Sequence, residues 1–308
     1  MVCVMDPASA SSVAARARTE NFPVASLLFP RSMRPHLRAI YGFARLVDML
    51  GDEFSAGGLD TAGRTEVQDR ALAGDAGKAR ISSEPTSTSD VVGDRLAALD
   101  ELEAEVDACY EGEPTWEVTR ALQPTIQACG LPREPFLRLI EANRMDQRVS
   151  EYETWADLKH YCVHSADPVG RLVLGVIGRP EPALVALSDD VCTGLQLVNF
   201  LQDVPRDLDL GRVYLPAEDR RRFGVTELAK PNAPLRSVLE FEAERARGLL
   251  SEPGDELGRR LGGRVGRAVA LFGRGGVAAL EALERADWDI FNGRPRPSRA
   301  RLALAAIR

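Results

Sequence analysis

The stretch "LQLVNFLQDVPRDLDLGRVYLP", residues 195–216, decides how this chain reads. At roughly 100° per residue, an α-helix gathers Gln196, Asn199, Asp203 and Asp207 within about 80° of one another. Leucine, valine and phenylalanine fill the remaining sides. Surface helices carry acids, but seldom on a stripe enclosed by apolar residues. Pro205 lies between the two aspartates and cannot donate to the carbonyl of Leu201. Either it kinks the helix and re-aims Asp207, or the regular helix simply loosens there.

A second stretch has the same character. In "ARLVDMLGDE", residues 44–53, Asp48 and Asp52 are four apart and leave a helix on one face, with Glu53 beside them. A lone D-x-x-x-D is ordinarily a solvated face. Here Asp48 is set in "IYGFARLVDML" and Asp203 in "LVNFLQDV", both too apolar for an exposed helix. Two carboxylates facing two others across a helical bundle would be unfavourable to bury without compensation. A hard divalent cation offsets that repulsion, and Mg²⁺ prefers oxygen ligands together with substrate phosphates. The residues point to a Mg²⁺–diphosphate site at the mouth of a helical cavity.

The rest of the chain reads as one all-α domain over 1–308. At 308 residues and 44% apolar it is long enough to bury a substantial core. No run approaches the roughly 18 apolar residues of a membrane span. Net charge is −7 and the basic residues form no single long block, which argues against nucleic acid as a partner. The five cysteines are scattered and lack C-x-x-C spacing, so they read as reduced thiols of a cytoplasmic protein.

From Pro35 to Glu53, Leu37, Ile40, Phe43, Leu46, Val47 and Leu50 mark one buried helical face. Further helices are expected at about 94–110, 114–129, 133–149, 154–164, 167–177, 181–208, 236–251 and 264–289. Thr154 reads as an N-cap, and Gly178-Arg179-Pro180 as a stop. Residues 55–93, rich in Gly, Ala, Ser, Thr and Asp, read as a mobile insertion with a short helix at 65–73. Residues 1–19 lack a basic-then-apolar leader pattern and read as a flexible tail. No G-x-G-x-x-G follows a strand, so no NADPH site is evident.

Three segments then carry a resemblance. "NFPVASLLFPRSMRPHLRAIYGFARLVDMLGDE", "YCVHSADPVGRLVLGVIG" and "NFLQDVPRDLDLGRVYLPAEDRRRFGV", in this order, resemble the squalene/phytoene synthase family over about residues 20–295. The resemblance implies a single isoprenoid-synthase helical bundle with a central apolar cavity and a long-chain isoprenoid diphosphate substrate. By resemblance Asp48, Asp52, Asp203 and Asp207 would hold two or three Mg²⁺ ions with the diphosphate, and Asn199 would lie beside the metal. "ENFPVAS", "HSADPVGRLVL" and "FLQDV" point to the branch that converts presqualene diphosphate to hydroxysqualene by ionisation, rearrangement and water capture.

Condensing members of the family usually carry arginine where Gln202 stands, which makes Gln202 a candidate diphosphate contact. Met49 stands where a second acid is frequent, and Gly276 where many members have tyrosine. The alternatives are head-to-head prenyl transfer, as in presqualene diphosphate, phytoene or squalene synthases, and a non-catalytic helical assembly factor of the same fold.

Arg45, on the face of Asp48, is a further diphosphate candidate, or else an internal partner for the acids. Arg212 and Tyr214 match a family loop near the cavity mouth, or are ordinary turn residues. Tyr161 matches a tyrosine near the reacting carbons, or is a buried tyrosine with a satisfied hydroxyl. Phe22, Tyr41 and Phe43 are candidates for stabilising a carbocation through their rings, or are core. An apolar substrate and product imply a peripheral contact with the cytoplasmic membrane. The basic, apolar C-terminus "NGRPRPSRARLALAAIR" is one candidate for it, and other enzymes of the same pathway are candidate partners.

Overall fold

A computed structural model of the chain describes residues 29–52 and 88–298. Phe22, Glu53, the first tail, most of the 55–93 insertion with its expected helix at 65–73, and residues 299–308 lie outside them. The described residues are helical almost throughout and contain no strand, only an isolated bridge between Glu151 and Val213. The chain divides into two compact units, Met1–Gln147 and Arg148–Arg308.

The first unit contains α1 (Arg34–Asp52), α2 (Thr88–Glu111), α3 (Glu117–Cys129) and α4 (Glu134–Asp146). Helix α1 packs on the other three. Its apolar face is the one expected: Leu37, Ile40, Phe43, Leu46, Val47 and Leu50 are all buried. Phe43 meets Phe136 edge-on, with centroids 5.2 Å apart. Helix α2 starts at Thr88, inside the segment read as insertion.

Glu105 of α2 ties down the start of α3. Its carboxylate accepts from the backbone N–H groups of Thr115 (2.9 Å) and Trp116 (2.9 Å), and from the Thr119 hydroxyl (2.7 Å). Burial alone would raise its pKa, yet these bonds hold the carboxyl below its ordinary range.

The second unit contains α5 (Trp155–Ser165), α6 (Asp167–Ile177), α7 (Pro182–Asp209), α8 (Ala217–Arg222), α9 (Ala233–Leu261) and α10 (Gly263–Arg285). Thr154 caps α5 as expected and forms a reciprocal capping box with Asp157. Gly178, at φ 76°, ends α6 in the left-handed conformation that glycine adopts without strain.

Helix α7 is the spine of this unit and packs on α5, α6, α9 and α10. By length and composition it alone among the described helices could cross a membrane, but half of that stretch is buried in the fold. It runs through Pro205 to Asp209, so the proline does not end it.

Helix α9 continues well past the expected 251, through Pro253, because glycines let it close on α10. A Cβ at Gly273 would meet the Leu250 carbonyl at 2.7 Å, and Gly258 and Gly266 meet backbone to backbone. Helix α8, unforeseen, is bound to α9 by Arg245, which reaches Asp219 (3.0 Å) and Glu242 (2.6 Å).

Candidate functional site

The first acidic motif closes α1. Asp48 and Asp52 occupy its final turns, and no basic residue lies in the last one. Negative charge at that end opposes the helix dipole, by about 0.3–1 kcal/mol per group. Arg45 Nη1 lies 3.6 Å from Asp48 Oδ2, with the two side chains 17% and 55% exposed. So long and wet a pair contributes little stability, and does not explain why the acids are there. Arg95 donates to the Asp52 carbonyl at 2.6 Å and Gln147 to the Gly51 carbonyl at 3.0 Å, which fixes the helix end. Tyr41 is half-buried one turn before Arg45. Phe43, fully buried against Phe136, is core. Met49 is buried too, so an acid in its place would face the core.

The second motif lies on α7 and is more enclosed. Arg294, from the segment after α10, places Nη2 3.2 Å from Asp203 Oδ2. The same nitrogen donates to Asn199 Oδ1 at 3.1 Å, while Nε donates to Gln202 Oε1 at 3.3 Å. Gln202 Nε2 donates to the Pro295 carbonyl at 2.7 Å, which clips the segment to the helix. Three residues singled out in the sequence therefore converge on one cation. Burial pushes the Asp203 carboxyl above its ordinary range, against the opposing pull of Arg294, Arg206 and Arg296. Asp207 follows one turn later, half-buried, and its carbonyl accepts from Arg212 N–H at 2.8 Å. Arg212 is itself buried.

Next to the acids, α7 carries an aromatic contact. Tyr161 of α5 packs with Phe200 (6.2 Å) and Tyr214 (5.5 Å), and Phe200 stacks on Tyr214 at 4.2 Å. Tyr152 completes this aromatic wall, 5.4 Å from Tyr161. Tyr161 and Tyr214 thus pack together within the second unit. Gly276, where a tyrosine is frequent, is closely packed: a Cβ would lie 2.8 Å from Leu250 Cδ1 and 2.9 Å from Leu195 Cδ2, so those side chains would have to shift.

Arg294 is a residue of this cluster that the sequence alone does not single out. It was counted with the basic tail, yet it is bound to Asp203, Asn199 and Gln202. Its only signal is a position just after the last amphipathic helix, in "NGRPRP", some ninety residues from its partners. Most of the proposed membrane-contacting tail, 299–308, lies outside the described residues.

Among the described residues no three His, Cys, Asp or Glu side chains form a ready-made metal cage. The donors that do converge are hard oxygens, and they already enclose a cation. Mg²⁺ is commonly held by one or two carboxylates together with substrate phosphates. The residues present fit that ion.

Fold and site define an all-α protein with one acidic motif at the end of α1 and, in the second unit, another on α7 beside Arg294 and an aromatic wall. The chain belongs to the squalene/phytoene synthase family, whose model matches residues 15–301. It is 31% identical to the hydroxysqualene synthase of Zymomonas mobilis, over 87% of this chain and 80% of that protein. It is 27% identical to the presqualene diphosphate synthase of Rhodopseudomonas palustris, over 85% of this chain and 83% of that one. Among solved structures, it is similar to squalene synthase HpnC from Alicyclobacillus acidocaldarius, with a TM-score of 0.71 and 38% identity. That likeness covers 92% of this chain and 97% of the other.

Proposed function

We propose that this chain ionises presqualene diphosphate, rearranges the cation and releases hydroxysqualene after capture by water. The convergence of Asn199, Gln202 and Asp203 on one cation carries the proposal, because a site preformed around positive charge suits a metal-bound leaving group. The likeness to a hydroxysqualene synthase supports the choice of product.

In this reading Asp203 and Asp207, with Asn199, would hold Mg²⁺ on α7, and Asp48 with Asp52 would do so on α1. When bound, Mg²⁺ supplies charge that stabilises the departing diphosphate. Arg45 in the first unit is a candidate diphosphate ligand, as are Arg212 and Arg294 in the second, where Gln202 would keep Arg294 beside Asp203. The rings of Tyr161, Phe200 and Tyr214 would shield the cation from bulk water and face it with π-electron density.

A second reading is head-to-head condensation of two prenyl diphosphates, favoured by the likeness to a presqualene diphosphate synthase. Mass spectrometry of products, with presqualene diphosphate or farnesyl diphosphate as substrate, separates the two. Hydroxysqualene from presqualene diphosphate is the expected result, abolished by EDTA. Consumption of farnesyl diphosphate alone would assign condensation instead. Failure of Mg²⁺ and pyrophosphate together to bind in calorimetry would point to an assembly protein.

A further inference from the structure

We infer that Ser165 holds the water molecule that terminates the reaction. The inference rests on the water-capture reading above. Ser165 is the last residue of α5, and its hydroxyl oxygen is buried without a hydrogen-bond partner among the described residues. A helical serine normally returns its hydroxyl to the carbonyl four residues back, and Ser165 does not. A buried hydroxyl left unpaired is disfavoured by about 1–3 kcal/mol. Such a group ordinarily has an unseen partner, most often a water.

Its place in the fold suits the task. Ser165 follows Tyr161 by one turn and leaves α5 on the same face, the face that meets Phe200 and Tyr214. Along α7, Tyr161 lies level with Phe200, while Asp167 lies level with Thr193, whose hydroxyl donates to it at 3.0 Å. Ser165 therefore falls level with Leu195 and Gln196, on the apolar side of the acidic motif. At 1.5 Å per residue that is about 10 Å along α7 from Asp203. The separation leaves room for a leaving diphosphate at one end and a cation carbon between. Asp167, two residues on, has one carboxylate oxygen engaged by Thr193, whereas the Ser165 hydroxyl has no partner among the described residues.

The chemistry balances with a hydroxyl alone. Diphosphate departs with the electron pair of the broken C–O bond. The Ser165 oxygen accepts one O–H of the water, which leaves a water lone pair to form the new C–O bond to the rearranged cation. The oxonium proton then passes to the released diphosphate. Ser165 gains and loses nothing, so it is a positioning residue rather than a base.

The test measures two quantities on presqualene diphosphate: diphosphate release, and the ratio of hydroxysqualene to hydrocarbon products. Ser165→Ala should keep diphosphate release within about threefold of the parent and lower the alcohol ratio at least tenfold. Ser165→Cys, similar in shape but a weak acceptor, should behave like alanine, and Ser165→Thr should restore the ratio to within threefold. An unchanged ratio in the alanine and cysteine variants would overturn the inference. So would a ratio that threonine cannot restore. If the unmutated chain itself makes no alcohol from presqualene diphosphate, the proposed function falls, and the role of Ser165 with it.

Discussion

Replacing Glu242 with glutamine should change how stability depends on pH, and the effect can be worked from the structure. The Glu242 side chain is 1% exposed, and both its oxygens lie 2.6 Å from Arg245 Nη1. The same nitrogen reaches Asp219 at 3.0 Å, and the guanidinium lies over the rings of Trp155 (4.7 Å) and Phe241 (4.9 Å). Two buried acids thus share one cation, and one of them keeps a proton. Burial lifts Glu242 from 4.5 to about 8, with Arg245 pulling it down and Asp219 pushing it up.

The folded state therefore holds this proton more tightly than the unfolded chain. Its stabilising contribution is full below about pH 4.5 and is lost as pH rises through about 8. Asp167, lifted to about 7 by burial, acts in the same sense and is still half-protonated at pH 7. With one pKa unit worth about 1.4 kcal/mol, Glu242 should account for about 1 kcal/mol of the parent's loss from pH 7 to 8, and Asp167 for about 0.4 kcal/mol. That is a fall of roughly 2 °C in melting temperature. Calorimetric melts at closely spaced pH values would measure it. Glu242→Gln, which has no proton to release at this position, should keep only the smaller fall due to Asp167 over the same interval. A variant that falls as steeply as the parent would refute the shared-proton account.

Asp203→Asn should lower turnover by at least about a hundredfold while leaving the melting temperature unchanged or slightly raised, because it removes a carboxyl that burial disfavours. A variant that unfolds instead would make the aspartate structural. Gln202→Arg should displace Arg294 from its contact with the 202 amide and shift the product distribution; an unaltered profile and rate would remove Gln202 from the site. Gly276→Ala should destabilise the chain by about 1–3 kcal/mol in a denaturant titration, since the added methyl meets Leu250 and Leu195 below 3 Å. No loss of stability would mean that those leucines have room to yield.

What the sequence disclosed follows from how local its signals are. The stripe from Leu37 to Leu50, the Thr154 cap and the stop at Gly178 act within a turn or two, and the structure has all of them. The acidic motifs stood out because Asp48 and Asp203 are flanked in sequence by apolar residues, although Asp48 itself is exposed. The start of α2 at Thr88 was hidden by a polar run that resembles a loop. The length of α9 was hidden because Pro253 and Gly254 read as breakers, whereas tertiary contact with α10 overrides their propensity. Arg294 was out of reach for a related reason: nothing local tells an arginine after the last helix that its partners lie on α7. The division into two units was equally invisible to a helical period that runs on without a change of character.

Leu250 is enclosed by what its neighbours lack. Gly194 on α7 and Gly273 and Gly276 on α10 each leave a space that this one residue of α9 fills, side chain or carbonyl, at distances a Cβ would violate. Three missing side chains thus act as a mould, and a single leucine is the casting that sets where α7 lies. Since Asn199 and Asp203 stand on the same helix within three turns of Gly194, the aim of the acidic motif is written into glycines that never touch a ligand. Drift at any of them would be felt in the chemistry as well as in the stability of the fold.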